Sequence, residues 1–126
     1  MKRFLIAAAL ALAPTTVLAA DATGSWSFNV VFDSVGEKFV TTCALKQSPA
    51  GDVTGSCGGL ANEQAEVSGK TRIGTDGKPV IDFGYDTDYS GTGVHLEYIA
   101  EPQPDGSLAG SVFVKGVSGT FTAVRK

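Results

Sequence analysis

Residues 86–97, DTDYSGTGVHLE, carry the pattern that most resembles a metal site. Asp86, Asp88, Ser90, Gly91 and Glu97 follow D-x-D-x-S-G-x5-E, which offers oxygen ligands and a glycine turn to Ca²⁺. Three features oppose that reading. No helical pattern flanks the stretch, and Gly93 stands where an apolar residue is usual. Val94-His95-Leu96-Glu97-Tyr98 alternates as a strand, which carries Glu97 away from the loop. The expectation is a hairpin whose Asp and Ser side chains bond their own backbone, with no metal and no cofactor. His95 is the only histidine and is out of phase with Val94, Leu96 and Tyr98, so it is expected to point outward. A single His excludes His-rich zinc sites, no G-x-S-x-G elbow is present, and no catalytic residue is assigned.

A second set of residues suits binding. Trp26, Phe28, Phe83, Tyr85, Leu96 and Tyr98 stand at in-phase positions of alternating segments, so all should face one interior. Small inward residues (Thr41, Gly55, Ala65, Gly110, Ala123) leave room beside them. The leading expectation is a non-catalytic protein that holds a small apolar or aromatic ligand among these side chains. A protein-binding role is the first alternative. From Pro79 to Val114 there is no Lys or Arg, while Asp82, Asp86, Asp88, Glu97, Glu101 and Asp105 offer an acidic face to a partner. A cofactor-free cyclase or isomerase working with barrel Tyr and Asp residues is the second.

The elements that must position these residues are strands. Alternation runs through Trp26–Phe32, Phe39–Leu45, Ile81–Tyr85, Val94–Tyr98, Leu108–Val112 and Phe121–Ala123, and helical periodicity is absent after the first twenty residues. Turn signals at 48–52, 75–77, 90–91, 104–106 and 116–119 separate the runs. The spacing predicts eight strands, near 24–33, 38–47, 52–58, 64–73, 79–86, 93–101, 107–115 and 119–126. Short connections make sequence neighbours antiparallel partners, and an up-and-down barrel removes the exposed edges of such a sheet. A two-sheet sandwich is the runner-up. Gly55 and Gly110, each inside a strand, are expected where backbones approach closely.

One pairing can be set in register from sequence. Placing Gln47 opposite Val53 around a five-residue loop puts Cys43 opposite Cys57, within disulfide reach. Cys43 is in phase with Phe39 and Leu45, so the bridge should face the core.

The first residues read as a leader. Lys2 and Arg3 precede an apolar run, Phe4–Ala13, too short to span a bilayer. Val17-Leu18-Ala19 then offers a cleavage site after Ala19, with Ala20 and Ala22 as alternatives. Residues 1–19 are therefore expected to be a signal peptide and 20–126 one domain, periplasmic or secreted, where a disulfide persists. The whole chain carries a formal charge of −3, more negative once Lys2 and Arg3 are removed. That argues against nucleic acid and against anionic membrane surfaces as partners, and no membrane contact is expected after cleavage.

Gly24-Ser25-Trp26 opens the first strand and Arg125 closes the last. In a closed barrel these strands are neighbours, so the Trp and the Arg could stack as a cation–π pair across the floor. This arrangement resembles the calycin group of lipocalins, avidins and fatty-acid-binding proteins, which share a G-x-W in the first strand and a basic residue in the last. The resemblance implies an eight-stranded barrel with an interior able to hold a ligand. Trp26 is the only tryptophan, so the biotin-stacking tryptophans of avidins have no counterpart. Small bacterial periplasmic metalloprotease inhibitors share the G-x-W start and one disulfide. They act through an N-terminal segment, for which only Ala20-Asp21-Ala22-Thr23 is available here.

Overall fold

The computed structural model describes residues 21–126. The expected leader, residues 1–19, and the cleavage expected after Ala19 lie outside the described residues. Eight strands follow one another: β1 Gly24–Phe32, β2 Glu37–Gln47, β3 Asp52–Gly58, β4 Gln64–Ile73, β5 Pro79–Tyr89, β6 Thr92–Pro102, β7 Leu108–Val114 and β8 Val117–Arg125. A single 3₁₀ turn, Asp33–Val35, joins β1 to β2. Each strand pairs antiparallel with the next, and β8 pairs with β1, so the sheet is one closed barrel and not a sandwich.

Alternation is the cause of this architecture. On each strand the in-phase apolar residues are buried and their neighbours face water, as in β1, where Trp26, Phe28, Val30 and Phe32 point inward. Closure demands close backbone contact at certain crossings. A Cβ on Gly55 or Gly110 would collide with the carbonyl oxygen of Ala44 or Ile99 on the adjacent strand, which explains the two strand glycines.

Two hairpins are longer than the turn residues suggested. β5 and β6 run to Tyr89 and from Thr92, with Asp86 opposite His95 and Asp88 opposite Gly93. The polar stretch read as loop is therefore strand up to a two-residue turn. Ser90 and Gly91 both have positive φ (52° and 83°), which matches the twist of tight hairpins. Likewise β8 begins at Val117, because Lys115 and Gly116 make the turn with φ of 44° and 77°. Cross-strand pairing outweighs the weak strand propensity of Asp and Gly at these tips.

The register puts Cys43 opposite Cys57, with Cα atoms 4.0 Å apart and both side chains fully buried. The disulfide bridges β2 and β3 inside the barrel. At one end, which we call the floor, the Arg125 guanidinium lies 4.2 Å from the centre of the Trp26 ring. Residues 21–23 are drawn across this end. Trp26 Nε1 donates to the Ala22 carbonyl (2.8 Å), and Arg125 donates to the carbonyls of Thr23 (2.6 Å) and Asp21 (3.0 Å). Ala22 is completely buried, and its N–H donates to Gln47 Oε1 (2.8 Å).

Candidate functional site

The middle of the barrel is packed with rings. Tyr98 stacks on Phe83 at 5.0 Å and meets Phe28 and Phe121 edge-on at 5.4 and 5.3 Å. Phe28 also meets Phe83 edge-on at 5.8 Å. Such offset and edge-to-face pairs fill space efficiently. Tyr85 and Tyr98 share a buried hydrogen bond between their hydroxyls (2.7 Å). Burial pushes the Tyr85 hydroxyl up to about 12, and raises Tyr98 further still. Both therefore stay protonated across the physiological range, one donating to the other.

Open space lies at the opposite end from the floor. A cavity of about 310 Å³ occupies the barrel mouth. Its walls are apolar. Phe32, Val35 and Phe39 come from the β1–β2 hairpin, Tyr89, Val94 and Leu96 from β5–β6, Val114 and Val117 from β7–β8, and Leu60 from the β3–β4 connection. Glu37 and Lys115 stand at its rim. Of the six residues singled out from sequence, Leu96 lines this cavity. Phe28, Phe83, Tyr85 and Tyr98 form the packed layer beneath it, and Trp26 belongs to the floor. Sequence reasoning missed the other lining residues. Val94, Val114 and Val117 showed the right phase, but nothing local marked them as standing above the filled layer.

The outer surface of β5 and β6 carries a second cluster. His95 lies between two carboxylates, with Nδ1 2.7 Å from Asp86 and Nε2 2.7 Å from Glu97. Gly84 makes the space: a Cβ there would stand 2.6 Å from the Glu97 carboxylate and 2.8 Å from the imidazole. The hydrogen bonds that Glu97 and Asp86 accept from the ring raise the His95 pKa above its ordinary value. Burial, then a hydrogen bond with Asp82, raises that of Glu97. Asp86 and Glu97 thus favour the charged imidazolium, and Glu97 sits opposite Gly84, away from the turn. Among the described residues no group of three or more His, Cys, Asp and Glu side chains is arranged to hold a metal ion.

This cluster has a pH consequence. Both ring nitrogens can donate only while the imidazole is charged. A pKa raised by folding gives stability that is full below the unfolded value of about 6.5 and is lost as pH rises through the folded value. The melting temperature of the wild type should exceed that of His95→Gln most near pH 6, and the gap should shrink as pH rises past the unfolded value and through the raised folded one. The half-exposed setting keeps the effect modest. A gap that widens with rising pH would contradict the assignment.

Fold and site together define a small, closed, eight-stranded antiparallel barrel, stapled by one internal disulfide and open to an apolar cavity at its mouth. No protein-family model, curated protein or solved structure matches the chain. Among the described residues no helix is long and apolar enough to cross a membrane.

Proposed function

We propose that this protein is an exported, non-catalytic barrel that binds one small apolar or aromatic ligand in the cavity at its mouth. The cavity carries the reading. It is lined almost wholly by carbon, and at about 310 Å³ it is at the small end of ligand pockets. The ligand would rest on Leu96 rather than among the central rings, which already fill one another's space. The calycin resemblance, with its Trp26–Arg125 floor, supports the same reading at the level of architecture. Export is supported by the leader pattern and by a disulfide that an oxidising compartment would maintain.

The observations favour this reading over the alternatives. An inhibitor that inserts its N-terminal segment needs that segment free, and residues 21–23 are bonded across the floor. A cyclase or isomerase working through Tyr85 or Tyr98 would rely on hydroxyls that burial holds protonated and that are bonded to each other. A protein partner at the acidic face remains the second reading, supported by Asp82, Asp86, Asp88 and Glu101 on the outside of β5 and β6.

Fluorescence titration with N-phenylnaphthylamine, a neutral dye that brightens in apolar surroundings, tests the proposal. The wild type should bind it. Val94→Phe and Val117→Phe, which fill the cavity, should weaken binding by at least about tenfold. Val124→Phe, on the outer wall, should not. A folded wild type that leaves the dye dark, or a filled variant that binds as well, would overturn the reading.

A further inference from the structure

At the mouth the barrel wall is not continuous. The β2–β3 register stops at Cys43 and Cys57, so β2 residues 37–42 pair with β1 alone. The β4–β5 register stops at Ser68 and Gly84, so β5 residues 85–89 pair with β6 alone. Two hairpins therefore rise above the closed part of the sheet. Between them runs the short β3–β4 connection, residues 59–63, whose Leu60 lines the cavity.

That connection is stitched to both hairpins by side chains. Apart from tyrosines, Thr41 and Thr87 are the buried polar residues among those described (7% and 5% exposed), and each bonds this segment. Thr41 Oγ1 donates to the carbonyl of Gly58 (2.6 Å), just before it. Thr87 Oγ1 accepts from the N–H of Leu60 (2.9 Å) and donates to the Glu63 carboxylate (2.7 Å). The same carboxylate accepts the Asp88 N–H (3.3 Å) and the Ala61 N–H (3.1 Å). Where a backbone ladder would otherwise close the gap between β4 and β5, one threonine and one glutamate do so.

We propose that residues 59–63 are a side gate of the half-open mouth cavity, with Leu60 as its inner face and the Thr87–Glu63 pair as its latch. The proposal rests on the cavity being the binding site, and adds how its β4–β5 side widens. The latch is three side-chain hydrogen bonds between the strap and β5. Breaking it releases Leu60 without unpairing a strand, because neither β5 above Gly84 nor β2 below Cys43 is paired on that side. The gap between β4 and β5 then becomes a way in.

Two measurements on Thr87→Val and Glu63→Ala test the gate. The first is native-state amide exchange. Thr87→Val removes two of the latch bonds, and Glu63→Ala removes two and the Ala61 bond as well, so the Leu60, Ala61 and Asp88 amides should exchange at least about tenfold faster. Amides of the closed sheet, such as Phe83 and Tyr98, should keep their wild-type protection. The second is stopped-flow mixing with N-phenylnaphthylamine. Both variants should raise the association and dissociation rates together by about threefold or more, leaving the dissociation constant within about twofold. Thr54→Val, on the outer wall of β3, serves as control and should change neither. Unchanged strap exchange, or exchange that rises equally across the sheet, overturns the gate. So does a dissociation constant that worsens with the rates unchanged in the forward direction. If the dye does not bind at all, the cavity reading falls, while the exchange pattern still decides whether the strap opens on its own.

Discussion

Trp26→Ala is expected to destabilise the protein by about 3–5 kcal/mol, read by circular dichroism in a urea melt. The ring is 1% exposed and joins three groups that have no substitute. Its Nε1 bonds the carbonyl of buried Ala22, its face receives the Arg125 guanidinium, and its body is part of the buried core. Truncation leaves a cavity, an unsatisfied carbonyl and a cation without its ring. Arg125→Ala is the companion test. The cation–π contact contributes about 0.5–1 kcal/mol at an exposed site, and the two bonds from the guanidinium to Thr23 and Asp21 hold the N-terminal segment in place. The variant should therefore shift Trp26 emission to the red and let acrylamide quench it more strongly. Emission and quenching that match the wild type would show that the floor closes without Arg125.

The second large effect is covalent. The purified protein should weigh two hydrogens less than its reduced form, and Cys43→Ser should cost about 3 kcal/mol on the chain-entropy model for a loop of this length. The bridge closes a sequence separation of 14 residues and stands where the β2–β3 register ends. Its loss should therefore also loosen the mouth-side half of β2, which has no β3 partner, ahead of the rest of the sheet. Free thiols in the isolated protein would refute the bridge. A Cys43→Ser variant as stable as the wild type would show it to be energetically idle.

Much of the fold was legible because its signals are local or pairwise. Period-two alternation marks a strand from a few residues, as at Trp26–Phe32. A five-residue turn with a cysteine on either side fixes the β2–β3 register, and the structure repeats it residue for residue from Gln47–Val53 to Cys43–Cys57. The Trp26–Arg125 stack followed from closure, since a first and a last strand that meet bring those residues to one end. The hairpin reading of residues 86–97 rested on the same logic, and His95 does point outward. The strand ends were less visible. Asp88, Ser90 and Gly93 look like loop, and only the cross-strand partners they acquire make two of them strand.

The candidate site divides along the same line. Composition and phase alone determined an all-β chain with inward-facing aromatics and a covalent link between β2 and β3. Those features depend on neighbours in sequence or on one hairpin, so one chain suffices to read them. The tertiary structure decided where the interior is full and where it is empty. Tyr98, Phe28, Phe83 and Phe121 come from four strands, and whether their rings meet depends on the stagger of every strand between them. The same stagger leaves β5 above Gly84 without β4 and hands the gap to Thr87 and Glu63. Stagger accumulates around a closed sheet and is written at no single position, which is why the mouth cavity and its strap become visible only once the barrel has closed.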